Sequence, residues 1–242
     1  MNIHSHLILS CILLSLIPFS AHAGDFEKGT NAYKNKNYPR ALRLLKPLAK
    51  DGNQYAQENL GKMYVYGEGV DKNYVKAVFW FEKSANQGLA RAQFNLAKMY
   101  LQGKGVAKDY DIAAIWFKKA ERQGHQGART KLGVMYKFGK GVKKNYAEAK
   151  RLLKESAELG HAEAQYQLGN ILVNYGEEDK AVYWYRKAAD SDYSWAQVSL
   201  AEAYLMGYGV PKNKKKAIKW MRRSDALGNR IATKMLVKYS QQ

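Results

Sequence analysis

A leucine returns at a near-constant step along this chain: Leu60, Leu96, Leu132, Leu168 and Leu200 stand 36, 36, 36 and 32 residues apart. Its surroundings return with it. Ala56, Ala92, Ala128, Ala164 and Ala196 lie four residues before it, and Gly61, Ala97, Gly133, Gly169 and Ala201 follow it directly. Tyr64, Tyr100, Tyr136 and Tyr204 lie four residues after, with Leu172 in that place in the fourth unit. Steps of four put Ala, Leu and Tyr on one face of a helix, and the small residue lets a second helix come close. A repeated unit of this length cannot bury its own apolar face, so the units must stack.

The second half of each unit is as regular. Gly67-Glu68-Gly69-Val70, Gly103-Lys104-Gly105-Val106, Gly139-Lys140-Gly141-Val142 and Gly207-Tyr208-Gly209-Val210 end the first helix. Asn73, Asp109, Asn145 and Asn213 stand where the next helix needs an N-cap. That helix carries Ala77/Trp80, Ala113/Trp116, Ala149/Leu152, Ala181/Trp184 and Ala217/Trp220, and Gly88, Gly124, Gly160 and Gly228 close it. The string A-x-x-x-L-G-x-x-Y-x-x-G-x-G-V, followed by A-x-x-W, resembles the Sel-1-like repeat, a relative of the tetratricopeptide repeat with a longer loop. The resemblance implies an all-α superhelical solenoid of helix-turn-helix units with five repeats at 53–88, 89–124, 125–160, 161–192 and 193–228. Residues 24–52 have no Gly-x-Gly loop and read as a plain tetratricopeptide-like unit, and 229–242 as a capping helix. The fourth repeat lacks four residues, with Asn174-Tyr175-Gly176-Glu177 in place of the loop.

Residues 1–23 are set apart from this pattern. Leu7 to Phe19 is apolar but too short to span a bilayer, and Ala21-His22-Ala23 is a small-x-small cleavage site. The segment reads as a signal peptide removed before Gly24, which places the mature protein in the periplasm or outside the cell. Cys11, the single cysteine, falls inside it, so the mature chain has no thiol for a disulfide, a metal or a nucleophile. The formal charge of +19 lies wholly in the mature part. Secretion turns that surplus away from nucleic acid and towards an acidic protein or an anionic envelope surface.

Catalytic signatures fail on inspection. His125 and His161 share the slot that holds Asn53, Leu89 and Tyr193 elsewhere, so they read as linker residues. His161-Ala162-Glu163 lacks the paired cysteines of a zinc deaminase, and Gly133 to Lys140 lacks both the spacing and the Ser/Thr of a P-loop. Neither a cofactor nor a metal site is expected. Trp80, Trp116, Trp184 and Trp220, with Met63, Met99 and Met135, read as core.

Positions that vary while the core holds are candidates for recognition. The third, sixth, seventh, tenth, thirteenth and fourteenth positions of each first helix share one face, which by analogy with tetratricopeptide folds lines a concave groove. Its candidate residues are Tyr55, Glu58, Asn59, Tyr66, Arg91, Phe94, Asn95, Lys131, Phe138, Tyr166, Gln167 and Trp195. Aromatics beside amides suit an extended peptide. A second candidate surface is basic: Lys212, Lys214, Lys215, Lys216, Lys219, Arg222 and Arg223. The expected function is a monomeric, non-catalytic adaptor that holds a protein partner in the groove. The alternatives are an immunity protein that neutralises a secreted effector and, with no residues to carry it, a hydrolase of envelope polymers. Intact-mass measurement of the protein from the periplasmic fraction should show a chain beginning at Gly24. Retention of residues 1–23, or a lipid on Cys11, would overturn the signal assignment.

Overall fold

The computed structural model describes residues 19–240, so most of the signal segment, with Cys11, lies outside it. The described residues form thirteen helices and no strand. First helices of the units are α1 (Phe19–Lys34), α3 (Gln54–Tyr66), α5 (Ala90–Gln102), α7 (Gln126–Phe138), α9 (Ala162–Asn174), α11 (Ser194–Met206) and α13 (Arg230–Ser240). Second helices are α2 (Tyr38–Lys50), α4 (Tyr74–Asn86), α6 (Tyr110–Arg122), α8 (Tyr146–Glu158), α10 (Glu178–Asp190) and α12 (Lys214–Ala226). Each helix packs on the one before and the one after it, which makes the chain a solenoid.

The caps follow the sequence pattern. The side chains of Asn73, Asp109, Asn145 and Asn213 accept the backbone N–H three residues on, at 2.9, 2.8, 3.0 and 2.9 Å. At the shortened fourth repeat Glu177 makes no such bond. Within the loop, the two glycines do different work. The first, as in Gly103 (φ 67°), ends the helix in the left-handed region. The second lies against the preceding unit: a Cβ on Gly105 would run into the carbonyl of Tyr74, and one on Gly141 into that of Tyr110. Each loop is therefore seated on the start of the previous second helix. The residue between the glycines then reaches that helix's tyrosine, as Lys104 does over Tyr74 (5.5 Å) and Lys140 over Tyr110 (5.6 Å). In the first loop Glu68 takes this place and accepts from Tyr33 (2.5 Å) and Tyr38 (2.9 Å). Burial, then that bond, pushes the Tyr33 phenol up.

The repeated alanines and leucines are buried, as are Met63, Met99 and Met135. The tryptophans differ from expectation. Trp80, Trp116, Trp184 and Trp220 are only partly buried against the core, where their rings close the seam between units. The filled centre belongs to the next residue, Phe81, Phe117, Leu153, Tyr185 and Met221. An indole is too large for the centre between two close helices, so it settles at the edge, where Lys119 lies 4.1 Å from the Trp116 ring, Lys187 5.3 Å from Trp184 and Arg223 5.3 Å from Trp220.

A second set of ties is polar. Gln57, Gln93, Gln165 and Gln197 are buried and donate to the carbonyls of Ala49, Ala85, Ala157 and Ala189 in the preceding helix. Gln87 and Gln123, the residues that end α4 and α6, donate in turn to the side-chain oxygens of Gln57 (2.7 Å) and Gln93 (2.8 Å). The same slot holds Ser191 after α10 and Leu227 after α12. Serine is too short and leucine has no donor, and Gln165 Oε1 and Gln197 Oε1 are left buried without a partner. Supplying the donor should recover about 1 kcal/mol per junction. Ser191→Gln and Leu227→Gln should each raise the urea midpoint with an unchanged slope. No change in either variant would show that these oxygens are satisfied in another way.

Candidate partner-binding face

The candidate face belongs to the first helices. Side chains bridge from one of them to the next: Lys131 to Glu163 (2.6 Å) and Lys137 to Gln167 (3.4 Å) join α7 to α9, and Asn95 to Glu58 (3.5 Å) joins α5 to α3. The six-position pattern therefore describes one continuous surface. It does not present all its residues alike.

Tyr55, Tyr66, Phe138 and Trp195 are exposed, with 42, 65, 55 and 47% of their surface open, and Met206 joins them at 45%. Arg91 is exposed too and lies 3.4 Å from Glu58. Asn59, Asn95, Lys131 and Gln167 are half-buried. Glu58 departs from its expected place. It is fully buried, ion-paired with Lys62 and Arg91, and so supports the face from beneath and offers no atom to a partner. Phe94 and Tyr166, at the same sixth position, are turned along the chain axis. Phe94 stacks on His125 with centroids 4.4 Å apart, and Tyr166 packs on Tyr185 and Tyr193 at 6.0 and 5.3 Å. Sixth-position side chains point at the neighbouring unit, so they build the stack and expose only an edge.

Two clefts open between the first helices. One, of about 210 Å3, lies between α3 and α5 over Phe81, with Lys62, Tyr66, Asn95 and Lys98 around it. The other, of about 830 Å3, has Val173 of α9, Glu202, Leu205 and Met206 of α11 and Ile231, Met235 and Lys238 of α13 as walls, over Val182 and Tyr185 of α10. Tenth and thirteenth positions thus line the clefts. The part played by α13 lay beyond the repeat pattern, because its sequence carries no Leu-Gly-Tyr register to align. Lys98 and Lys137 are held below the usual lysine range by burial, Lys98 also by Lys131 and Lys104. The Glu202 side chain is open at the cleft mouth, yet the apolar walls raise its carboxyl pKa.

The basic residues lie on the loop before α12 and on α12 itself. Lys212, Lys214, Lys215, Lys216, Lys219 and Arg222 are exposed. Arg223 is engaged, donating to the Asp192 carboxylate (2.8 Å) and the Asp190 carbonyl (3.2 Å) across the junction with the preceding unit. Lys216 lies 5.4 Å from the Tyr204 ring.

The histidines sit at unit junctions. His125 Nδ1 accepts the Ala128 N–H (3.2 Å) as the cap of α7, the role Asn53 plays for α3. His161 Nδ1 lies 3.1 Å from the Thr130 hydroxyl, which is 2.8 Å from that of Ser156. Thr130 and Ser156 are fully buried, so no substrate atom can reach that hydroxyl pair. No three metal-ligating side chains come together among the described residues.

Stacked helical pairs with a varied, partly apolar inner face define a helical-repeat scaffold. The chain belongs to the Sel1 repeat family, whose repeat matches residues 24–53, 54–89, 90–125, 127–161, 162–193 and 196–229. The first of these takes in the unit that the sequence pattern sets apart as tetratricopeptide-like. Sel1 repeat proteins are protein-interaction scaffolds, generally without catalytic function. A Sel1 repeat protein from Oxalobacter formigenes is 34% identical with a TM-score of 0.81, over 88% of this chain and 86% of that one. A protective antigen of uropathogenic Escherichia coli with an SLR fold is 31% identical with a TM-score of 0.76, over 87% of this chain and 47% of that one. An immunity protein from Pseudomonas aeruginosa, 18% identical with a TM-score of 0.59 over 83% of this chain and 82% of that one, shares the fold. No curated protein matches the sequence.

The junction histidines make stability depend on pH. Burial, the largest cause in each, holds both imidazoles below the usual histidine range. The unfolded chain therefore takes up protons first, and stability is complete above about pH 6.5 and declines as pH falls through it. His125→Asn keeps a side-chain acceptor at the cap without a titrating group. Its unfolding free energy, followed by urea denaturation between neutral and acid pH, should fall less steeply than that of the unaltered protein. An identical slope would remove His125 as a source of the dependence.

Proposed function

We propose that the chain is a periplasmic, non-catalytic adaptor that holds a protein partner on the face formed by its first helices. The observation that carries this reading is the pair of clefts on that face, the smaller lined by the exposed ring of Tyr66, together with the exposed rings of Tyr55, Phe138 and Trp195 on the same set of first helices. Exposed aromatics beside a concavity are the usual anchors of a protein interface. The periplasmic setting rests on residues 1–23 read as a cleaved signal. An immunity role would use the same face, and the identity of the captured protein decides between the two.

The immobilised chain from Gly24 onward should capture a protein from envelope extract, identified by mass spectrometry. Phe138→Ala and Trp195→Ala should each weaken that complex by about 1–3 kcal/mol, chiefly through faster dissociation. Ile115→Ala, at an exposed residue of α6, should leave it unchanged. Equal binding by all three variants would remove this face as the site.

A further inference from the structure

The face just described changes chemistry along its length. Its tenth positions read Lys62, Lys98, Val134, Asn170 and Glu202 from the first repeat to the fifth. Towards the N-terminal half the cations accumulate. Lys98 makes no ion pair among the described residues, lies 5.4 Å from the Phe94 ring and is crowded by Lys104 and Lys131, with Glu163 the opposing charge in its surroundings. Lys137 is nine-tenths buried and meets only the Gln167 amide oxygen, at 3.4 Å, and the ring of Phe138. Both are partly desolvated cations without an ion pair among the described residues, a state that an incoming anion relieves.

Towards the C-terminal half the order is reversed. The large cleft is walled by Val173, Leu205, Met206, Ile231 and Met235, with Glu178 and Lys238 also in its lining, and Glu202 makes no ion pair among the described residues. In a chain of formal charge +19 this is a mainly apolar hollow with a carboxylate that makes no ion pair among the described residues. Lys131 of α7 pairs with Glu163 of α9 at 2.6 Å. Unpaired cations on α5 and α7 thus stand on one part of the surface and an unpaired carboxylate on α11 on another, with the Lys131–Glu163 ion pair joining α7 to α9.

We propose that the partner segment held on this face is a polypeptide of two chemical halves, so that the groove sets its direction: acidic residues lie over Lys98 and Lys137, and an apolar run with one basic side chain fills the α9–α11–α13 cleft beside Glu202. This rests on the adaptor reading above and adds the polarity and composition of the bound segment. A plain polyanion would satisfy only the first half and leave the cleft and Glu202 unmet.

The test uses the chain from Gly24 onward and a synthetic peptide with a glutamate block joined to a Leu/Phe block that ends in lysine, spin-labelled at its acidic end. The label should broaden amide signals of α5 and α7 and spare those of α11 and α13. Lys98→Gln should weaken the peptide about fivefold, as loss of a partly exposed ion pair does, and have no effect on a peptide whose glutamates are replaced by serine. Glu202→Gln should weaken it only when the terminal lysine is present. Binding on the same face with the label spread evenly, or nearest α11 and α13, would overturn the polarity and leave the adaptor reading standing. Binding of the glutamate block alone as tightly as the whole peptide would mark a simple polyanion site and overturn it as well. So would no binding of the two-block peptide, while capture of a partner by the variants above is judged separately.

Discussion

Where the second glycine of each loop rests on the backbone carbonyl that opens the preceding helix, two units are brought to a distance that no side chain allows. Gly105 on Tyr74, Gly141 on Tyr110 and Gly209 on Glu178 repeat that contact. It joins a loop to a different unit, so it sets how units stack as well as how a helix ends. The lysine carried between the glycines then lands on the tyrosine ring of the earlier unit, where a cation and a π face attract one another. In the fourth repeat the loop is missing. Tyr146 keeps Lys144 at 4.8 Å but receives nothing from the other side, and a hollow of about 470 Å3 opens between it and Tyr175.

The polar ties act on the same junctions from within. A buried amide linked to a helix carbonyl holds register, because sliding the helix would leave both groups unpaired in a dry environment. Near the N-terminal end the tie is closed twice over, by Gln87 and by Gln123. In the third repeat Arg129 replaces the glutamine and reaches Glu121 (3.2 Å) and Glu155 (3.6 Å). In the last two repeats it is left half-made. Those repeats also frame the larger cleft, so the part of the solenoid with the loosest junctions is the part with the most open inner surface.

Function and stack compete for the same helix face. Aromatics at the third and fourteenth positions stand clear of the neighbouring unit, and Tyr55, Tyr66, Phe138 and Trp195 remain available. Those at the sixth are drawn into the junction, where Phe94 covers His125 and Tyr166 covers Tyr193. A buried ring gains more from packing than an exposed one, so stacking takes every side chain that can reach.

Much of this was legible in the residues alone. The period placed the helices of the five repeats, most of their cap residues and the buried alanines, leucines and methionines, because these depend on contacts that recur identically in each unit. Periodicity also marked the positions that share the inner face. What it could not show was which of them a neighbour would cover. Glu58 and Phe94 occupy a single repeat position, yet one is sealed by two cations and the other stacks on an imidazole. The tryptophans at the seam, the orphaned oxygens of Gln165 and Gln197 and the wall that α13 adds to the large cleft were likewise decided by which side chain the next unit presents. The sequence determined the unit, since a helix and its turn are made from near neighbours in the chain. Tertiary structure decided the surface, since what is covered there depends on a residue some 30 positions away meeting it in space.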